Sequence, residues 1–81
     1  MTVRVQLFAV AKQLAGREAL DIEIPDGGTV GHLRSALAAQ VPALTDALPR
    51  MMFAVNQEYA TNGTFIPPGA EVACIPPVSG G

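Results

Sequence analysis

Val3, Val5 and Leu7 alternate with Arg4 and Gln6, the period-2 pattern of a strand with one buried face. Phe8 follows on the polar side of that alternation, a large apolar residue out of phase. Residues 9–16, Ala-Val-Ala-Lys-Gln-Leu-Ala-Gly, suit a short helical turn closed by Gly16. A second alternation covers residues 19–24, with Leu20, Ile22 and Ile24 on one side and Asp21 and Glu23 on the other. Pro25-Asp26-Gly27-Gly28 reads as a turn or loop. Thr29 can then cap a helix whose apolar stripe is Val30, Leu33, Ala36, Leu37 and Val41, and Pro42 stops it. Residues 43–50 are a connector with room for one more helical turn. Residues 51–56 form a third strand, and Asn56-Gln57-Glu58 is a hairpin-like turn into a short strand around Tyr59-Ala60. Residues 61–69, rich in Asn, Gly and Pro, are loop, and residues 71–75 are a last strand ended by Pro76.

Two strands, a helix and further strands imply an α+β domain, one mixed sheet with a single main helix packed on one face. The favoured topology is a β-grasp, with the first and last strands side by side. Residues 1–76 are expected to form that domain and residues 77–81 a flexible tail. The pattern contains no internal repeat and no second domain.

Composition narrows the class of function. The chain has 81 residues, 49% of them apolar and 15% charged. That charge fraction is low against about 25% for a typical domain, so more of the surface must be apolar, as on a protein with a partner to cover it. Five basic residues, Arg4, Lys12, Arg17, Arg34 and Arg50, are scattered along a chain of net charge −2, so no nucleic-acid partner is expected. No apolar run approaches the roughly 20 residues of a membrane span, so no membrane partner is expected either. One cysteine, Cys74, and no secretory leader pattern fit a cytoplasmic protein.

Few residues in the body of the chain suggest chemistry. His32, the only histidine, has no nucleophile beside it and reads as a solvated helix residue rather than a general base. Cys74 sits mid-strand and reads as a small buried hydrophobe rather than a reactive thiol. The acidic residues lack the His or Cys companions of a metal site, and Gly27-Gly28 lacks the Lys-Ser/Thr of a phosphate loop. Phe8 is out of phase, and so is Ile75 if Cys74 is buried. With the first and last strands adjacent, the two either share an exposed apolar patch or are rim residues of the core.

The sequence ends Pro76-Pro77-Val78-Ser79-Gly80-Gly81. Two prolines fix their φ angles, end a strand and make a stiff spacer. Two glycines have no side chains, so such a tip threads a channel too narrow for any other residue. The carboxylate of Gly81 is then the one reactive group on offer. It is inert until activated as an acyl-adenylate, because neither oxide nor hydroxide is a good leaving group and AMP is.

Val5-Gln6-Leu7-Phe8-Ala9 with Lys12 and Gly16, the stretch Ala54-Val55-Asn56-Gln57-Glu58-Tyr59, and the ending from Pro68 to Gly81 together resemble the small subunit of molybdopterin synthase, the MoaD family. The resemblance runs the full length and is most specific in the Pro-Pro-Val-Ser-Gly-Gly ending. It implies a β-grasp, ubiquitin-like sulfur carrier. Gly81 would be adenylated with ATP by a ubiquitin-activating-like adenylyltransferase and converted to a thiocarboxylate with sulfur from a cysteine-derived persulfide. The tail, with Pro77, Val78, Ser79 and Gly80 lining a channel, would enter a large subunit holding the active site, in a heterotetramer. Sulfur would pass there to cyclic pyranopterin monophosphate, building the molybdopterin dithiolene of the molybdenum cofactor. The carrier itself would bind no cofactor and no metal and perform no catalysis alone. Phe8, Ile75 and Lys12 match partner-interface positions, although Ile75 replaces the aromatic residue often found there. The rival readings are a carrier for thiazole and thiamine synthesis or another thiolation pathway, a ubiquitin-like protein modifier, and an interaction domain with an inert tail.

Overall fold

The structure is a computed structural model and describes residues 1–77. Strand β1 (Thr2–Leu7) leads into helix α1 (Ala9–Ala15), strand β2 (Ala19–Glu23) and helix α2 (Val30–Gln40). Two single 3-10 turns, Pro42–Leu44 and Leu48–Arg50, precede β3 (Met52–Val55), β4 (Glu58–Ala60) and β5 (Val72–Ile75). One five-stranded sheet has the order β2-β1-β5-β3-β4. β1 pairs antiparallel with β2 and parallel with β5, and β3 is antiparallel to both β5 and β4. The fold is the expected β-grasp, with the first and last strands adjacent at the centre of a mixed sheet.

The alternation of β1 sets which face is buried. Val3, Val5 and Leu7 point inward and Thr2, Arg4 and Gln6 outward. Val30, Leu33 and Leu37 of α2 close over the inner face, meeting Ile22, Phe53, Val72 and Cys74. Thr29 caps α2 as expected, but the cap is reciprocal. Thr29 N–H donates to His32 Nδ1 at 3.0 Å while His32 N–H donates to Thr29 Oγ1 at 3.4 Å, so two amides at the helix start gain partners.

The connector contributes more than a link. Its two proline-started 3-10 turns bury Leu44 and Leu48 completely or nearly so. Arg34 of α2 fastens this segment. Its Nη1 donates to the carbonyls of Leu48 and, at 2.9 Å, Met51; its Nε donates to Asn62 Oδ1 at 3.0 Å. The same guanidinium lies 4.8 Å from the centre of the Phe53 ring.

The hairpin between β3 and β4 turns on Asn56 and Gln57, with φ of 50° and 71°. Two positive φ angles in a two-residue loop are the signature of the type I′ turn, whose twist matches that of the strands. Asn suits the first position, and its Oδ1 accepts from Glu71 N–H at 3.0 Å. Gln57 occupies the place where glycine is least strained. Gln57→Gly should therefore raise stability by about 0.5–1 kcal/mol in urea denaturation, the relief of left-handed strain outweighing glycine's added freedom when unfolded. A lower midpoint would mean that Gln57 makes compensating contacts.

Candidate functional site

The face of the sheet turned away from α2 divides into two halves. On the β2–β1 half the cross-strand pairs are polar: Arg4 lies 3.4 Å from Asp21, and Thr2 hydrogen-bonds Glu23. On the β5–β3–β4 half they are apolar. Ile75 is registered against Met52, Ala73 against Ala54, and Ala54 against Tyr59.

Phe8 joins the apolar half. Its backbone is still extended, with φ −119° and ψ 150°, and its N–H donates to Cys74 O at 3.3 Å. Gln6 and Leu7 are registered against Ala73 and Cys74, so the next step sets Phe8 beside Ile75, on the face opposite Leu7. Ala9 then adopts φ 50°, and the chain turns out of β1 into α1 within one residue. Phe8 is 46% exposed, Met52 38% and Tyr59 68%. These values exclude the rim-of-core reading for Phe8; Ile75, on the same face, is half-buried. An apolar band thus crosses the sheet, with Phe8, Ile75 and Met52 in one row and Ala73, Ala54 and Tyr59 in the next.

Lys12 is beside this band. It lines one groove with Gln6, Phe8, Ala9 and Glu18, and its Nζ is 3.1 Å from a Glu18 carboxylate oxygen. The pair is solvent-exposed, so it marks position and charge more than stability. The structure therefore brings Phe8, Ile75 and Lys12 to one end of one face, and it adds Met52 and Tyr59, which the sequence reading missed. The alternation inward at Phe53 and Val55 was the available signal for Met52. Tyr59 required the β3–β4 register, which alternation does not fix.

Because β5 runs parallel to β1, it ends where β1 ends, beside Phe8 and the start of α1. Pro76 and Pro77 continue from that end, Pro77 exposed. The tail residues Val78, Ser79, Gly80 and Gly81 lie outside the described residues.

The other candidates take structural roles. The imidazole of His32 is held in the α2 cap. Cys74 is fully buried, and burial pushes its thiol from 9.0 to about 11, with the charge of Arg34 pulling weakly the other way. The thiol keeps its proton at neutral pH. Since the native state holds that proton more tightly than the unfolded chain, this stabilisation is complete below pH 9 and is lost as pH rises towards 11. Wild type minus Cys74→Ala stability should thus fall by about 2–3 kcal/mol between pH 8.5 and 11 in urea titrations. A pH-independent difference would show that the thiol ionises as easily folded as unfolded. No cluster of three His, Cys, Asp or Glu side chains is present among the described residues, and no helix there is long and apolar enough to cross a membrane.

Residues 5–81 match the ThiS family over nearly the whole chain. The chain belongs to the ThiS family. This ThiS-family protein is 41% identical to the molybdopterin synthase sulfur carrier subunit of Mycobacterium tuberculosis over 73 residues, covering 83% of this chain and 88% of that one. It is 36% identical to the molybdopterin synthase sulfur carrier subunit of Chlamydomonas reinhardtii over 83 aligned positions, covering 100% of both chains. Its fold matches the crystal structure of H. volcanii small archaeal modifier protein 1 with a TM-score of 0.85, at 27% identity over 95% of this chain and 98% of that one. The resemblance to the MoaD family read from the sequence is borne out, as is the ubiquitin-like β-grasp of this ThiS-family chain.

Proposed function

We propose that this protein is the sulfur carrier subunit of a molybdopterin synthase. The observation that carries the reading is the match, end to end, with relatives that bear that name. In this role Gly81 is the working residue. Its carboxylate attacks the α-phosphorus of ATP on a ubiquitin-activating-like enzyme, giving the acyl-adenylate and pyrophosphate. A persulfide sulfur then displaces AMP, and cleavage of the S–S bond by a thiol leaves the thiocarboxylate. Sulfur is soft and nucleophilic in this form, and the carrier needs no bound cofactor to hold it.

The domain's part is positioning. The apolar band around Phe8, Ile75 and Met52 supplies a docking face with Lys12 at its border. The large subunit docks there and receives Pro77, Val78, Ser79, Gly80 and Gly81 in a channel leading to cyclic pyranopterin monophosphate. Two sulfurs per dithiolene require two loaded carriers, which suits a heterotetramer with a carrier at each end. Acid–base chemistry belongs to the large subunit.

The test is intact mass after incubation with ATP, a sulfur donor and the host's adenylating enzyme. A gain of one oxygen-to-sulfur exchange is expected, with the loaded carrier then converting cyclic pyranopterin monophosphate on addition of the large subunit. An unchanged mass with an enzyme that forms acyl-adenylate on another carrier would sink the reading.

A second reading has a specific observation behind it: one of the matched solved structures is named a modifier protein. The same adenylated Gly81 attacked by a lysine amine rather than by sulfur gives an isopeptide. Higher-mass conjugates of the tagged chain in host extract, resistant to reducing agents, would favour it.

A further inference from the structure

The chain holds four sulfur atoms, in Met1, Met51, Met52 and Cys74. Three are shielded. Cys74 is 0% exposed and Met51 4%, and the Met1 side chain is 15% exposed. Met52 is 38% exposed and stands in the apolar row, registered against Ile75. The sulfur most open to an oxidant therefore lies on the docking face, and the usual redox sensor, a cysteine, is the one sealed in the core.

We propose that Met52 is a modification site, where oxidation of the free carrier by a peroxide weakens its docking on the large-subunit partner. This rests on the docking role given above to the apolar band. In the step itself a lone pair of the thioether sulfur attacks one oxygen of hydrogen peroxide. The O–O bond breaks, an S–O bond forms, and the departing hydroxide leaves as water after proton transfer; sulfur is oxidised and peroxide reduced. The product is a sulfoxide, polar and strongly hydrogen-bond accepting. Ile75 and Phe8, which share its row, carry no side-chain donor, and the band's one side-chain donor, the Tyr59 hydroxyl, stands in the next row. A partner covering this row would bury the new oxygen without a hydrogen bond, which is unfavourable. The fold is spared, because Met52 points away from the core while its backbone stays paired with β5.

The experiment exposes the full-length carrier to graded hydrogen peroxide and maps oxidation by peptide mass. Affinity for the purified large subunit of the same host is measured by calorimetry before and after. Met52 sulfoxide should form several-fold faster than sulfoxide at Met1 or Met51. Oxidised carrier should bind roughly tenfold more weakly with an unchanged melting temperature, and methionine sulfoxide reductase should restore binding. Met52→Leu, whatever its starting affinity, should keep that affinity unchanged through the same exposure. Oxidation of Met51 or Met1 as fast as Met52, or unchanged affinity of the Met52 sulfoxide, overturns the proposal while the docking role stands. Failure of the unoxidised carrier to bind at all overturns both.

Discussion

Deleting Gly81 should abolish thiocarboxylate formation and leave the melting temperature of the domain where it was. The two halves of this result have separate causes. Loss of loading follows from chemistry: removing Gly81 moves the terminal carboxylate to Gly80, one residue short. A chain spans at most about 3.3–3.6 Å per residue, so the shortened tip falls that far from the adenylating centre. A displacement of 1 Å can already cost a hundredfold in rate. Retained stability follows from the fold: the core is complete by Cys74, and no described hydrogen bond reaches beyond β5 and its flanks. Intact mass reads the first half and thermal melting the second. Loading of the truncated chain at the full rate would remove Gly81 from its role. A large drop in melting temperature would instead show that the tail packs on the domain.

The largest stability effect should come from Phe53→Ala. Phe53 is fully buried on β3, an inner strand of the sheet, and is also the surface on which Arg34 rests. Truncating a buried phenylalanine costs about 3–5 kcal/mol. A domain of this size has roughly 4–12 kcal/mol in all, so the variant should be partly unfolded at 37 °C. The Arg34 guanidinium would also lose its ring and keep only carbonyl and amide partners. Urea denaturation measures the loss, and Phe53→Leu should recover much of it. A cost under about 1 kcal/mol for Phe53→Ala would mean that α2 and the 3-10 turns close the cavity without strain.

Legibility in the sequence depended on how local the cause was. Val3, Val5 and Leu7 announce β1 because strand alternation is a property of neighbours. Gly16 and Thr29 announce the helix ends for the same reason. The out-of-phase Phe8 was legible as an oddity, and its meaning waited on the parallel pairing of β1 with β5. Leu44 and Leu48 are spaced like one helical turn, yet Pro42 and Pro49 split the segment into two tighter turns that bury both. Arg34 gave no signal, because its partners lie 14, 17 and 28 residues away in sequence. Tyr59 and Met52 belong to the exposed apolar band through register, Tyr59 by its pairing with Ala54 across the hairpin and Met52 by its pairing with Ile75 of β5, and composition fixes neither. The tail reading rests on the residue chemistry of Pro76-Pro77 and the two final glycines together with the resemblance, and Val78 to Gly81 lie outside the described residues.

The place of β5 has a mechanical consequence. It is the last strand in sequence but an inner strand of the sheet, hydrogen-bonded to β1 on one side and β3 on the other. A force applied to the chain beyond Pro77 pulls along the axis of β5. Both ladders are then loaded in shear, so their hydrogen bonds bear the strain together instead of parting one at a time as they would at a sheet edge. In the proposed role, a partner drawing on the chain beyond Pro77 would load the domain this way, and the domain would act as a rigid handle.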